Sequence, residues 1–216
     1  MITNTNLEYK GNLFPKAYKT HTKKANLIEF ESQNGVLLQI HVLRDSLLRF
    51  RYAPEGYFEK DFSYAIDQKQ EHGYSQLDFR EEENEFIILT EQVHCKVAKE
   101  DLRIGLYDLQ GNVILEDELG FHWEENLEEG GNFVKMSKQS HDSDNFYGLG
   151  DKPTNFNLKG KRMSNWNTDQ YAYAKDMDEV YKTVPFYIGL SDKKAYGILF
   201  DNTFKKSFDF CYERRN

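Results

Sequence analysis

The stretch NLIEFESQNGVLLQIHVLRDSLLRFRYA, residues 26–53, contains three segments with the character of β-strands, separated by short polar turns. Asn34 and Gly35 lie between the first two segments, and this pair is a strong hairpin signal because both residue types tolerate positive φ. In the third segment, apolar residues alternate with arginines over 48–52. This period of two is typical of a strand with one buried face, so the stretch predicts consecutive antiparallel strands.

The same pattern of strand, turn and strand continues along the chain. Further strand-like segments are EFIILT (85–90), VHCKVA (93–98), LRIGLYD (102–108), VILED (113–117), FYIGLS (186–191), AYGILFD (195–201) and SFDFCYE (207–213). Many short strands at this spacing indicate an all-β sandwich or barrel. Helical character is confined to KDMDEVYK (175–182), where Asp176 or Asp178 would begin one short helical turn.

The composition indicates a folded, acidic protein. The 216 residues include 14 Tyr and 16 Phe, whereas disordered chains are poor in aromatic residues. The length suffices for a sizeable core. The formal net charge is −8, and the chain contains no long run of Lys and Arg, which argues against a nucleic-acid partner.

The cysteines and the N-terminal sequence bear on the compartment. Cys95 and Cys211 are far apart and lack the spacing of a zinc site, so we expect two buried free thiols and no metal. The first residues contain no apolar core of a signal peptide, and no segment approaches the ~20 apolar residues of a membrane span. These features predict a cytoplasmic protein with no membrane partner.

A polar segment rich in aromatic residues lies before the strand-like FYIGLS. It holds Trp166, Asn167, Asp169, Tyr171 and Tyr173 within a few positions. Amides, carboxylates and flat aromatic rings on a loop are what a sugar-binding surface needs. The same residue types also occur in ordinary well-anchored loops, so the residue types alone leave both interpretations open.

Short motifs from residue 145 onward decide between these interpretations. They are FYGLGD (146–151), NWNTD (165–169), YKTVPF (181–186), GILFDNT (197–203) and FDF (208–210). In this order they resemble the N-terminal β-sandwich of glycoside hydrolase family 31, which contains α-glucosidases and α-xylosidases. Asp151 departs from the pattern, because Glu is commoner in the family at that position.

The resemblance implies an all-β fold similar to galactose mutarotases, in which mostly antiparallel sheets pack as a super-sandwich. We therefore expect an N-terminal extension over residues 1–25 and one β-sandwich domain over residues 26–216. In such enzymes a (β/α)8 barrel follows and carries both catalytic carboxylates. Retaining hydrolysis needs two carboxyl groups about 5 to 5.5 Å apart. This chain shows no strand–helix alternation and no nucleophile motif of the family, so we expect no catalytic residue and no cofactor in it.

The resemblance also assigns roles to the loop. It implies that the segment matching residues 165–173 lines the substrate pocket beside the barrel, and that Asp169 accepts hydrogen bonds from sugar hydroxyls. Trp166 would offer an apolar face to a sugar ring or anchor the loop, and Asn167 completes the predicted substrate-binding set. The expected partners are an α-linked oligosaccharide or glycoside and the intramolecular barrel. The expected parent is a retaining α-glycosidase, with an α-glucosidase as the first choice.

Other motif residues have plainer interpretations. Gly148 and Gly150 are expected to serve the backbone geometry, and Asp201 and Asn202 to fix a turn after a strand. Pro185 should fix the entry into the following strand.

The alternative is a stand-alone carbohydrate-binding or mutarotase-like protein. A mutarotase needs a His and a Glu aimed at the sugar as acid and base. The six histidines are scattered (His21, His41, His72, His94, His122 and His141), and of these His41 and His94 lie within strand patterns.

Overall fold

The computed structural model describes residues 11–67, 74, 76–126, 130–191 and 194–213. His72 and the first ten residues of the predicted extension lie outside this range. The predicted boundary at residue 25 remains a prediction, and strand β1 lies just before it, at Tyr18–Lys24.

The described residues form fifteen strands and contain no helix. The strands are β1 Tyr18–Lys24, β2 Leu27–Ser32, β3 Leu37–Arg44, β4 Leu47–Ala53, β5 Asp78–Glu81, β6 Glu85–Leu89, β7 Val93–Ala98, β8 Ile104–Asp108, β9 Val113–Glu125, β10 Asn132–Lys138, β11 Asn145–Gly150, β12 Lys161–Asn165, β13 Thr183–Ser191, β14 Lys194–Leu199 and β15 Lys206–Phe210. Every strand pairing among them is antiparallel. The predicted all-β, mostly antiparallel sandwich is confirmed.

The chain divides into two compact units. The first unit comprises the described residues between 11 and 61 and between 74 and 139. The second unit comprises those between 62 and 67 and between 140 and 213. The first unit contains a four-stranded sheet in the order β1-β2-β3-β4 and a six-stranded sheet in the order β10-β9-β8-β7-β6-β5.

The two sheets of the first unit enclose one apolar core. The four-stranded sheet contributes Ile28, Phe30, Leu38, Ile40 and Val42, and the other side contributes Phe86, Ile88, Cys95, Val97, Leu102 and Ile104. In β2 and β3 every second residue is buried, as the alternation of apolar and polar residues predicts. The first unit is therefore a β-sandwich.

The predicted hairpin at Asn34 and Gly35 is confirmed, and its two residues have different roles. Gly35 adopts φ 81°, the left-handed region that glycine enters without a steric penalty. The side-chain oxygen of Asn34 instead accepts hydrogen bonds from the Lys16 N–H at 2.9 Å and the Ser32 hydroxyl at 2.7 Å. The hairpin thus fastens the segment before β1 to the first unit.

The second unit has a smaller core of its own. A three-stranded sheet in the order β11-β13-β14 and a two-stranded sheet of β12 and β15 supply its strands. The buried members of this core are Phe146, Leu149, Leu158, Met163, Tyr187, Phe208 and Phe210. The ring of Tyr187 meets the edge of Phe210 at a centroid distance of 5.3 Å, a favoured aromatic geometry.

The predicted helical turn over 175–182 is wrong. A hydrogen-bonded turn covers only residues 175–176, and no helix follows. Asp176 and Glu179 adopt φ values of 64° and 62°, which a right-handed helix excludes. Instead of capping a helix, the carboxylate of Asp176 accepts hydrogen bonds from side chains elsewhere in the second unit.

Candidate functional site

The candidate site lies on the loop of residues 166–182 between β12 and β13, here called the β12–β13 loop. β12 leads directly into this loop, and its residues Met163 and Asn165 are buried. The side chain of Asn165 donates a hydrogen bond to the carbonyl of Val184 at 3.0 Å. The start of the loop is therefore fixed to β13, the strand that follows the loop.

Asn167 closes the loop at its base. Its side-chain oxygen accepts hydrogen bonds from the backbone N–H of Thr183 at 2.9 Å and from the Thr183 hydroxyl at 3.2 Å. The Asn side chain thus gives the Thr183 N–H the hydrogen-bond acceptor that a neighbouring strand would otherwise provide. The predicted ligand Asn167 thus also has a structural role.

Asp169 and residues 171–173 are exposed to solvent, whereas Thr168 and Gln170 are half-buried. No hydrogen bond or ion pair joins residues 168–173 to any other described residue. Tyr171 is 99% exposed and Trp166 is 45% exposed, and neither ring belongs to an apolar core. The structure places all three predicted residues (Trp166, Asn167 and Asp169) on one loop, and within the described residues the Asp169 carboxylate has no hydrogen bond or ion pair.

A buried lysine holds the other end of the loop. The side chain of Lys152 is 3% exposed, and its ammonium lies 2.9 Å from the Asp178 carboxylate and donates to the carbonyl of Ser164. The second oxygen of Asp178 accepts the N–H of Ser164. Burial raises the pKa of Asp178, but hydrogen bonds from Lys152 and from two backbone N–H groups hold that pKa below its ordinary value.

Asp176 adds a second attachment two residues earlier. Its carboxylate accepts hydrogen bonds from the Thr154 hydroxyl and the Lys161 ammonium, each at 2.5 Å. Its backbone N–H donates to the carbonyl of Pro153 at 2.6 Å. The hydrogen bond from Lys161, followed by the one from Thr154, holds the pKa of Asp176 below its ordinary value.

The glycines of the FYGLGD motif adopt positive φ, in line with their predicted role in the backbone geometry, and they also allow β11 to approach β13 closely. A Cβ on Gly148 would lie 2.6 Å from the carbonyl oxygen of Phe186, and one on Gly150 would overlap the carbonyl oxygen of Lys182. Between them, Leu149 is fully buried. The close packing of this motif therefore fixes where the chain enters β13 from the β12–β13 loop.

The two residues predicted to fix a turn, Asp201 and Asn202, behave differently from each other. The Asn202 oxygen accepts the N–H of Phe204 at 3.1 Å, which is the predicted local turn. The Asp201 carboxylate accepts a hydrogen bond from the Ser63 hydroxyl at 2.6 Å. Asp201 therefore binds a segment of the second unit that is distant in the sequence. Such a contact cannot be predicted from the sequence around Asp201.

The three-stranded sheet of the second unit has an exposed apolar face. Its strands bury Phe146, Tyr187 and Gly189 on one side. The opposite side exposes five large apolar side chains, here called the outer face: Val184, Phe186, Ile188, Leu190 and Leu199. A solvated face of an antiparallel sheet is normally polar, so this face has the composition of a contact surface.

Of the two histidines singled out for the alternative hypothesis, neither His41 nor His94 makes a hydrogen bond or ion pair to a Glu among the described residues. His41 pairs across the sheet with Arg49, and burial, followed by Arg49 and Arg51, lowers its pKa. The nearby Asp61 is engaged by Arg49 through two hydrogen bonds of 2.6 and 2.7 Å. His94 lies in β7 with Lys96 on the same strand.

Neither a metal site nor a membrane helix is found where the structure describes the chain. Among the described residues, no three His, Cys, Asp or Glu side chains are grouped so that they could hold a metal ion. Cys95 and Cys211 are both free, but only Cys95 is buried, so the predicted burial of Cys211 is wrong. In the same part of the chain, no helix is long and apolar enough to cross a membrane.

Comparison with known proteins gives a consistent result. Residues 37–209 match the sequence model of the glycosyl hydrolase 31 N-terminal galactose mutarotase-like domain. The chain is 28% identical over 193 residues to alpha-glucosidase 2 of Bacillus thermoamyloliquefaciens. This alignment covers 88% of this chain and 23% of that protein. A shorter alignment of 83 residues is 34% identical to an alpha-glucosidase of Saccharolobus solfataricus, covering 38% of this chain and 12% of that protein.

Solved structures show the same likeness. The fold is similar to that of a Flavobacterium johnsoniae dextranase complexed with glucose, with a TM-score of 0.81, 25% identity, and coverage of 93% of this chain and 24% of that chain. The chain therefore spans about a quarter of the length of alpha-glucosidase 2 and of the dextranase.

Proposed function

The chain belongs to the family of glycosyl hydrolase 31 N-terminal galactose mutarotase-like domains, and we propose that it serves as the non-catalytic N-terminal domain of a longer retaining α-glycosidase. The proposed reaction is hydrolysis of terminal α-linked sugars, with glucose as the preferred unit. The alpha-glucosidase relatives and the dextranase structure complexed with glucose support this choice.

The observation that carries the proposal is the Asp169 carboxylate, which is exposed and makes no hydrogen bond or ion pair within the described chain. It sits on a loop whose two ends are fixed by Asn167 and by the ion pair of Lys152 with Asp178, while residues 168–173 make no hydrogen bond within the described chain. A charged acceptor held on a fixed base makes stronger hydrogen bonds to hydroxyl groups than a neutral acceptor does. In this proposal Asp169 accepts hydrogen bonds from the leaving-group sugar.

Trp166 and Asn167 have supporting roles in the proposal. The exposed part of the Trp166 ring provides an apolar surface against which the flat, carbon-rich face of a sugar packs. The oxygen of Asn167 is engaged by Thr183, so its amide nitrogen is the group left to donate to a hydroxyl. Together the three residues line one side of the substrate pocket.

The second partner in the proposal is a (β/α)8 barrel in the same polypeptide. Such a barrel would supply the two carboxylates, about 5 to 5.5 Å apart, that retaining hydrolysis needs, at the carboxyl ends of its strands. The outer face, from Val184 to Leu199, supports this part of the proposal, because its apolar side chains are exposed in the isolated chain. The two free cysteines fit the proposed cytoplasmic location.

A comparison of two polypeptides tests the proposal. The purified 216-residue chain and the longer enzyme are each incubated with 4-nitrophenyl α-glucoside and 4-nitrophenyl α-xyloside. We expect release of 4-nitrophenol only from the longer enzyme, and faster from the glucoside. Turnover by the chain alone, above that of a heat-denatured sample, would show that the active site lies within this chain.

A further inference from the structure

Lys152 is a buried cation outside the predicted set of site residues. It lies two residues after β11, and its side chain is 3% exposed. Lysine is almost never buried without a partner, because an ammonium loses its hydration when it leaves water. Its partners are the Asp178 carboxylate at 2.9 Å and the carbonyl of Ser164. The placement of this charge therefore depends on those two groups.

The partners of Lys152 belong to two different segments. Ser164 is the penultimate residue of β12, just before the β12–β13 loop, and Asp178 lies near the end of that loop. Asp178 also accepts the N–H of Ser164. The Asp178 carboxylate near the end of the loop is therefore bonded both to β12 and to the turn after β11. The ion pair thus links the two ends of the loop to the turn after β11.

Neighbouring contacts run between the same segments. Residues 153 and 154 bind Asp176 through the Pro153 carbonyl and the Thr154 hydroxyl. Val180, further along the loop, is 1% exposed. The base of the loop is therefore dense in contacts, whereas residues 168–173 have no hydrogen bond to the described chain.

From this arrangement we infer that Lys152 is a positioning residue, whose ion pair with Asp178 holds the β12–β13 loop in the orientation that presents Asp169 to a sugar. The role of Asp169 rests on the proposed function, whereas the holding of the loop rests on the contacts alone. A binding group works best when the residues that support it are themselves fixed. Lys152 meets this requirement without touching the substrate.

Limited proteolysis of the chain tests whether Lys152 holds the loop. Chymotrypsin cleaves after Tyr171 and Tyr173 in the loop and after Tyr57, which is exposed in the first unit, and mass spectrometry quantifies each product. In Lys152→Met, which keeps most of the length of the side chain and removes its charge, we expect cleavage in the loop to rise about tenfold relative to cleavage after Tyr57.

A matched control separates loosening of the loop from general destabilisation. Lys138 forms an ion pair in the first unit with Asp117, whose side chain is 1% exposed. Lys138→Met removes that pair, and we expect it to leave the ratio of loop to Tyr57 cleavage as in the wild type. An unchanged ratio in Lys152→Met, or an equal rise in Lys138→Met, would overturn the inference.

A second variant covers the case in which Lys152→Met does not fold. Asp178→Asn retains an acceptor for the Ser164 N–H but loses the ion pair. We expect a smaller rise in loop cleavage, about threefold, with the same control. No rise in a folded Asp178→Asn chain would also overturn the inference.

Kinetics of the longer enzyme then separate this inference from the proposed function. In Lys152→Met we expect KM for an α-linked oligosaccharide to rise about tenfold while kcat for 4-nitrophenyl α-glucoside stays near the wild-type value. Increased loop cleavage with unchanged KM for the oligosaccharide would overturn the positioning role and count against sugar contact by the loop. Unchanged loop cleavage would overturn only the role of Lys152, because Asp169 is tested separately.

Discussion

The side-chain oxygen of Asn167 lies 2.9 Å from the backbone nitrogen of Thr183, so that a residue at the start of the β12–β13 loop satisfies a donor at its end. Asp169, two positions further on, has no hydrogen bond or ion pair to any residue that the structure describes. Two members of one short motif therefore differ in their contacts: Asn167 is bonded to Thr183, whereas Asp169 has no such bond within the described residues.

This difference predicts effects of different size on stability. Asn167→Ala removes the acceptor for the Thr183 N–H and should cost about 1 kcal/mol, which lowers Tm by about 2–4 °C for a chain of this size. Asp169→Ala should change stability by less than about 0.5 kcal/mol. Thermal unfolding followed by circular dichroism measures both. Equal changes in Tm would contradict the assignment.

A second prediction concerns Gly150. Its φ is 85°, and a Cβ there would overlap the carbonyl oxygen of Lys182. Gly150→Ala should therefore combine a cost of about 1–2 kcal/mol for the left-handed backbone with the cost of moving β11 away from β13. Urea unfolding of the purified chain measures the sum.

Gly160 provides the matched control for Gly150. Its φ is 75°, but a Cβ there would meet no atom within 4 Å. Gly160→Ala should show the backbone cost alone. If Gly150→Ala is no more destabilising than Gly160→Ala, the close approach of β11 and β13 does not constrain the motif.

Most of the fold could be predicted because its strands follow each other as hairpins. From β2 to β4, and from β6 to β9, each strand pairs with the next one in sequence, so a period of two and a turn signal were sufficient. β12 gives no strand signal in the sequence, because its residues KRMSN are mostly polar. Its partner β15 begins at Lys206, and a pairing over that distance leaves no local signal.

The candidate site could be predicted only in part. The NWNTD motif located the exposed loop, but the hydrogen bond from Thr183 to Asn167 depends on how the loop closes. Lys152 was missed because a single lysine in a turn carries no sequence signal of burial. The helical turn expected over 175–182 failed for a related reason: the acidic residues taken as helix caps bind lysines and a threonine elsewhere in the second unit.

The ion pair of Lys152 predicts a pH dependence. The pKa of Asp178 lies below its ordinary value of 3.8, so its contribution to stability is complete above that value and is lost as pH falls through the lowered pKa. In the double variant Lys152→Met/Asp178→Asn, Tm should therefore fall less steeply between about pH 4 and pH 2. Parallel curves for the wild type and the double variant would rule out this contribution.

The outer face predicts association of the isolated chain. Ile188 pairs with Tyr147 and Gly197 on its two sides, at the centre of the three-stranded sheet. Exposed apolar patches of a few hundred Å² promote association, so the wild-type chain should self-associate in sedimentation velocity runs, and Ile188→Lys should be monomeric. Val134→Lys, at an exposed position of the edge strand β10, should associate like the wild type. A monomeric wild type would remove the support that this face gives to barrel docking.

The kinetic role of Asp169 is tested in the longer enzyme with Asp169→Asn. The substitution keeps the shape of the side chain and removes its charge, so only the strength of the hydrogen bonds to the sugar changes. Losing a charged acceptor costs about 1.5–3 kcal/mol, which corresponds to roughly a ten- to hundredfold fall in kcat/KM. The fall should be confined to substrates whose leaving group is a sugar.

The substrate comparison decides whether Asp169 contacts the leaving group. An aryl glucoside has no sugar hydroxyls on its leaving-group side, so its kcat/KM should be nearly unchanged in Asp169→Asn, whereas that of an α-linked disaccharide should fall. An equal loss on both substrates would place Asp169 elsewhere in the reaction. A markedly lower Tm would instead assign Asp169 a structural role, which its exposed position and lack of partners in the described chain argue against.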